Sequence, residues 1–181
     1  FDAICELPEY YPTRTELGLL DRNAADIARH VGSGAELIEF GAGSLRKVRL
    51  LLEALDRPAG LLPIDISNEH LLASAALLRR DKPGLVVSPL AADFTQDLQL
   101  PPARGRRVGF FPGSSIGNFE PNEARQLLQR MAGWLDGGLL IGVATTLIFG
   151  AAAIIRSSAV RPAVLLRELP LDDARASRGT A

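Results

Sequence analysis

Five short apolar segments alternate with stretches of helical periodicity, and this alternation most constrains the fold. The predicted strands are residues 37–40, 61–64, 85–90, 107–111 and 139–143. Between them apolar residues recur at the spacing of a helix face, as Val48, Leu51, Leu52 and Leu55 do. Strands that alternate with helices predict parallel pairing and right-handed connections. The sequence therefore predicts an α/β fold with a Rossmann-like, doubly wound parallel sheet.

Residues that commonly cap helices predict where the helices begin. Thr13 and Glu16 have the spacing of a capping box, and Ser44 and Ser67 precede the next two helical patterns. A further helix is predicted from Pro121 to Trp134.

Charge and composition argue against several classes of partner. The 181 residues carry a net charge of -1, with two histidines and one cysteine. We therefore expect no nucleic-acid or membrane partner, no metal site, and a cytoplasmic location. The uncharged stretch 137–155 approaches the length of a spanning helix, but its glycines favour a buried strand at 139–143.

A glycine-rich turn, Gly41-Ala42-Gly43, follows the first predicted strand. Glycines here let the backbone approach a ligand at a helix N-terminus. Such turns bind nicotinamide and flavin dinucleotides, and also S-adenosylmethionine. Arg46 occupies the position of the third glycine in the dinucleotide pattern, which disfavours that reading. A tight turn without a ligand is the alternative.

Acidic residues follow the second and third predicted strands. Asp65 could accept hydrogen bonds from both hydroxyls of a ribose, or it could cap the helix before Ser67. Asp93 and Phe94 could provide an acceptor for an adenine amino group and a ring for the base. A turn acid beside a core phenylalanine is the alternative. Together these positions favour an adenosyl ligand.

The loop at 110–121 is rich in glycine and proline and follows the fourth predicted strand. Its Asn118 could accept a hydrogen bond from an amine and donate one to a carboxylate. The alternative is an asparagine in the left-handed conformation of a turn. We therefore expect a substrate contact in this loop.

Several motifs occur in the order seen in one enzyme family. They are 9–16 (EYYPTRTE), 39–44 (EFGAGS), 46–47 (RK), 63–67 (PIDIS), 93–95 (DFT) and 110–121 (FFPGSSIGNFEP). Over about residues 1–143 the chain resembles the histidine-specific Nα-methyltransferases of ergothioneine biosynthesis. The family converts histidine to its trimethyl betaine, hercynine, and has fungal relatives that methylate other amino-acid amines.

The resemblance implies a cofactor, a substrate and a set of contacts. The cofactor would be S-adenosylmethionine, and the sheet would be of the class I methyltransferase type, truncated after the fifth strand. The substrate would be a small molecule, the amino acid L-histidine, with no metal and no assigned catalytic base. The implied cofactor contacts are Gly41, Lys47, Asp65, Asp93 and Phe94. The implied substrate contacts are Tyr11 and Asn118.

The chain departs from the family pattern after residue 143. We expect residues 1–143 to form a partial cofactor-binding core, residues 144–181 to be a divergent tail, and the C-terminal substrate domain to be absent. A change of reading frame near residue 143 is one hypothesis for this tail. A complete version would be a monomer. A non-catalytic binding or remnant domain remains the alternative to an active methyltransferase, and a nicotinamide-dependent oxidoreductase is disfavoured.

Overall fold

A computed structural model describes residues 5, 7, 11–113, 115–135 and 140–141. In these ranges the elements alternate along the chain as the sequence predicts. They are α1 (Pro12–Val31), β1 (Glu36–Phe40), α2 (Arg46–Ala54), β2 (Gly60–Asp65), α3 (Asn68–Asp81), β3 (Leu90–Ala91), β4 (Arg107–Phe110), a 3-10 helix (Ser115–Asn118), α4 (Pro121–Trp134) and β5 (Leu140–Ile141).

The five described strands form one sheet in the order β3-β2-β1-β4-β5, and all its pairs are parallel. Glu36, the first residue of β1, is in register with Gly60 on one side and Arg107 on the other. The chain moves outward from β1 to β3 and then crosses back to β4. Ligands of open α/β sheets bind where the strand order reverses in this way, beyond the carboxyl ends of the strands. The predicted Rossmann-like parallel sheet is confirmed.

Each face of the sheet packs against its own set of helices. Leu37 belongs to a cluster with residues of α1, α2 and α3, whereas its neighbour Ile38 packs with residues of α4. All five residues of β1 are buried. A strand covered on both faces is mostly apolar, as β2 is and as β1 is apart from Glu36 and Glu39, which explains why the sequence identified both strands correctly.

The third strand is shorter than predicted. Only Leu90–Ala91 forms a strand, and Val87 makes an isolated parallel bridge to Leu61. The Arg79 guanidinium on α3 donates two hydrogen bonds to the Val87 carbonyl, at 2.6 and 3.2 Å. The bridge to β2 uses the Val86 carbonyl and the Ser88 amide, so the Val87 carbonyl points away from β2 and accepts from Arg79 instead, and the strand proper begins at Leu90. Of the predicted strand 139–143, only Leu140–Ile141 lies within the described residues.

The predicted capping box at Thr13 is wrong. Helix α1 begins at Pro12, and Tyr11 is its N-cap residue without a side-chain cap. Proline favours the first helical position because its φ is already helical and its missing N–H has no partner there. The Thr13 hydroxyl lies 3.4 Å from the Cys5 sulfur instead. The Glu16 carboxylate reaches away from the helix start.

The two predicted serine caps also differ from the structure. The N-cap of α2 is Leu45, in the left-handed conformation with φ 58°, so Ser44 lies one residue too early. Ser67 is the N-cap residue of α3, but its side chain makes no capping hydrogen bond. The predicted start of α4 at Pro121 is confirmed.

Candidate functional site

The glycine turn follows β1 at the point where the strand order reverses. Gly41 and Gly43 have φ values of 71° and 50°, which a side chain would strain. The amides of Gly41 and Ala42 both donate to the Ile64 carbonyl, at 2.9 and 3.1 Å, which fixes the turn against the end of β2. A Cβ on Gly41 would lie 3.6 Å from the Phe94 ring. The predicted cofactor residues Gly41 and Phe94 are therefore neighbours.

Asp65 connects this turn to the start of α3. Its Oδ2 accepts from the Gly43 amide at 2.9 Å, and its Oδ1 accepts from the Ser67 amide at 2.8 Å. Each carboxylate oxygen has a second lone pair, so these bonds leave acceptor capacity for another donor. A ribose contact at Asp65 stays a prediction.

The Asp93-Phe94 pair lies in the loop after β3. Asp93 Oδ1 accepts from the Thr95 hydroxyl at 2.7 Å and from the Thr95 amide at 2.9 Å. These two hydrogen bonds lower the pKa of the Asp93 carboxyl and keep it ionised. The Phe94 ring lies edge-to-face against Phe40 and Phe111, with centroids 6.2 and 5.6 Å apart. An aromatic cluster thus holds Phe94 beside the glycine turn.

Lys47, another predicted cofactor residue, pairs with a residue to which the sequence assigned only a capping role. Lys47 Nζ lies 2.6 Å from Glu16 Oε2, and both side chains are mostly buried. Glu16 Oε1 accepts a hydrogen bond from the Gly113 amide in the loop after β4. One carboxylate therefore joins α1, α2 and the loop after β4.

Glu39 is a second acidic residue of the site whose role the sequence did not reveal. It lies near the end of β1, is 1% exposed, and its Oε2 has no hydrogen-bond partner among the described residues. Burial raises the pKa of the Glu39 carboxyl well above its ordinary value. The Lys47 ammonium opposes that shift, while Asp65 and Glu16 add to it. Glu39 is thus close to one ammonium and to two other carboxyl groups.

The two predicted substrate residues lie at the edge of this site. Tyr11 is 61% exposed at the start of α1, and Asn118 is exposed at the end of the 3-10 helix. Asn118 does not have the positive φ of a left-handed turn residue, so that alternative is wrong. Within the described residues, neither side chain contacts the five predicted cofactor residues through a hydrogen bond or ring contact. The Glu16–Gly113 bond nevertheless connects the helix that begins after Tyr11 with the loop that carries Asn118.

Sequence comparison shows the family. Residues 1–148 match the family described as histidine-specific methyltransferase, SAM-dependent. The chain belongs to this family. It is 36% identical over 160 residues to the histidine N-alpha-methyltransferase of Mycobacterium tuberculosis, an alignment that covers 87% of this chain. It is 35% identical over 161 residues to the enzyme of the same name from Mycolicibacterium smegmatis, again over 87% of this chain.

The chain spans about half the length of these two histidine-specific methyltransferases, 50% in each case. A solved structure of a possible exported protein from Bordetella parapertussis has the same fold, with a TM-score of 0.55 and 18% identity. That likeness covers 74% of this chain and 41% of the other. The predicted class I methyltransferase fold agrees with both the family and the observed strand order.

A shallow cavity of about 450 Å³ lies at the opposite, amino end of the sheet. It is lined by Glu36, Ser88, Arg104 and the Pro-rich segment before β4. The Glu36 carboxylate is already paired with Arg107 Nε at 3.2 Å. This cavity contains none of the predicted site residues, and we do not assign the cofactor to it.

Among the described residues there is no helix of sufficient length and apolarity to cross a membrane. The same part of the chain contains no cluster of three or more metal-ligating side chains. The cytoplasmic location, the monomeric state and the absence of a nucleic-acid partner stay predictions.

Proposed function

We propose that this chain provides the S-adenosylmethionine site of an enzyme that methylates the α-amino group of an amino acid, namely histidine to its trimethyl betaine. The observation that carries the proposal is the carboxyl-rich glycine turn at the reversal of strand order, in a chain of the histidine-specific methyltransferase family. S-adenosylmethionine carries a sulfonium and an ammonium group, and the cluster of Glu39, Asp65 and Glu16 beside the turn suits these groups.

Each part of the cofactor has a chemically suitable partner in this site. The Asp93-Phe94 pair would hold the adenine, Asp65 the ribose hydroxyls, and Lys47 the carboxylate of the methionine moiety. Glu39 would accept a hydrogen bond from the ammonium group of the cofactor, because its buried Oε2 has no hydrogen-bond partner among the described residues. Gly41 would let the cofactor lie against the backbone of the turn.

Tyr11 and Asn118 would hold the amino-acid substrate, Asn118 through the amine and carboxylate. Bound S-adenosylmethionine supplies an electrophilic methyl group on sulfur. The residues of this chain would orient the neutral amine in line with that group, and alignment contributes most of the acceleration in such displacements. The amine loses its proton to solvent or to a residue that the structure does not identify, so no general base is assigned.

A non-catalytic binding domain is the second candidate, because the chain spans only half the length of the two mycobacterial relatives. To separate the two, we would incubate the chain with S-adenosylmethionine and histidine and follow methylated products by mass spectrometry. Mono-, di- and trimethylated histidine would support the proposed activity. Adenosylhomocysteine binding without turnover would favour the second candidate. A faster reaction with tryptophan or another amino acid would overturn the assignment of histidine.

A further inference from the structure

Glu16 contacts both the predicted cofactor residue Lys47 and the loop after β4, which carries the predicted substrate residue Asn118. Its carboxylate contacts Lys47 of α2 through one oxygen and the Gly113 amide through the other. We infer that Glu16 is a positioning residue, which holds Lys47 and the loop after β4 in the arrangement that binds cofactor and substrate. This inference rests on the function proposed above.

The Glu16–Lys47 pair is well suited to fix a position. The side chains are 15% and 16% exposed, so water screens the pair only partly. Buried ion pairs repay their desolvation when other hydrogen bonds satisfy the remaining lone pairs, and the Gly113 amide does this for Glu16. Both oxygens of the carboxylate are thereby committed to named partners.

The loop after β4 approaches the lysine closely at Gly113. This glycine has a φ of 89°, and a Cβ placed on it would lie 3.3 Å from Lys47 Nζ. That spacing is tighter than usual for a Cβ contact, so a side chain at this position would press on the lysine. The backbone at Gly113 can therefore lie this close to the Glu16–Lys47 pair because the residue has no side chain.

Lys47 forms its ion pair with Glu16 although a second carboxyl group, that of Glu39, is nearby. Glu39 is close enough for the Lys47 charge to affect it, yet Lys47 forms its ion pair with Glu16. Glu39 Oε2 therefore keeps no partner among the described residues.

The test compares the affinity for S-adenosylhomocysteine of the unmodified chain, Glu16→Gln, Lys47→Met and the double variant, by calorimetry. Glu53→Gln is the matched control, because Glu53 forms a 2.8 Å ion pair with Lys82 on the exposed side of α2. We expect Glu16→Gln to weaken binding by about tenfold or more, as for loss of a hydrogen-bonded charge, and Glu53→Gln to leave it unchanged. The double variant should bind no more weakly than Lys47→Met, because Glu16 acts through Lys47.

Unchanged affinity of a folded Glu16→Gln variant would overturn the inference, while binding by the unmodified chain would leave the proposed function intact. The inference would also be overturned if the loss of affinity in the double variant equalled the product of the losses in Glu16→Gln and Lys47→Met, because the two residues would then act independently. Absence of binding to the unmodified chain would refute both proposals. If Glu16→Gln does not fold, Glu16→Asp serves instead, since it keeps the charge and shortens the reach. Weaker binding at an unchanged melting temperature supports the inference, and unchanged affinity overturns it.

Discussion

The buried carboxyl group of Glu39 should make the stability of this chain depend on pH in a direction opposite to that of most acidic residues. Its pKa is raised in the folded state, chiefly by burial. The folded chain therefore binds more protons than the unfolded chain between the two pKa values, and stability falls as pH rises through that window. We predict that Glu39→Gln removes this dependence, because glutamine is a neutral side chain of the same shape.

The magnitude follows from linkage. Within the window Glu39 ionises in the unfolded chain only, which should lower the free energy of unfolding by about 1.4 kcal/mol per pH unit. The decrease should level off above the folded-state pKa, at about 1.4 kcal/mol for each unit by which the folded-state pKa exceeds the unfolded one. At pH values below the window the unmodified chain and Glu39→Gln should have equal stability. Above it the variant should be the more stable.

Urea unfolding at a series of pH values, followed by circular dichroism, measures this difference directly. Glu53→Gln is the control, since Glu53 is 68% exposed and its removal should not change the slope with pH. A constant difference between the unmodified chain and Glu39→Gln at every pH would refute the reasoning. It would mean that Glu39 ionises in the folded state as it does in the unfolded chain.

Three further substitutions test the geometry of the site. Gly41→Ala should cost about 1–2 kcal/mol in urea unfolding, because alanine is strained at a φ of 71°, whereas Gly84→Ala, with open space around it and no positive φ, should be neutral. Asp65→Asn removes one of the two oxygens that accept from the Gly43 and Ser67 amides. It should lower the free energy of unfolding by about 1 kcal/mol and weaken binding of adenosylhomocysteine. Asp97→Asn, at an exposed position, should change neither stability nor binding. Phe94→Leu loses two edge-to-face ring contacts and should cost about 1 kcal/mol, with weaker cofactor affinity by calorimetry. Equal stability of Gly41→Ala and Gly84→Ala, or affinities unchanged by the other two substitutions, would contradict this account of the site.

The parallel sheet could be predicted because its central strands are buried on both faces and are therefore mostly apolar in sequence. The third strand could not be bounded in the same way. The segment that contains Val87 is also apolar, but it makes an isolated bridge at Val87 and the strand itself begins at Leu90. An apolar pattern indicates that a segment is buried, but it does not show which of its backbone groups pair with the neighbouring strand.

The starts of α1 and α2 were predicted wrongly, whereas the start of α4 at Pro121 was predicted correctly. Several residues near each start have side chains that could cap a helix. The residue that takes the N-cap position is set by backbone conformation, which amino-acid composition does not reveal. Pro12 begins α1 after an uncapped Tyr11, and Leu45 takes up a left-handed conformation before α2.

The glycine turn and its acidic neighbours could be placed from sequence because they follow strands at fixed positions. The pairing of Glu16 with Lys47 could not, since it joins two helices that are separated by β1. Glu39 did carry a signal. A charged residue within a strand buried on both faces needs either a partner or a function, and Glu39 has an oxygen without a partner in the described part of the chain.

The most direct test of the central claim is a calorimetric titration of the purified chain with S-adenosylhomocysteine, with NAD as the control ligand. We predict saturable binding of S-adenosylhomocysteine with one site per chain and no binding of NAD. Failure of a demonstrably folded chain to bind S-adenosylhomocysteine, or binding of NAD alone, would contradict the assignment of the glycine turn, Asp65 and the Asp93-Phe94 pair to an S-adenosylmethionine site.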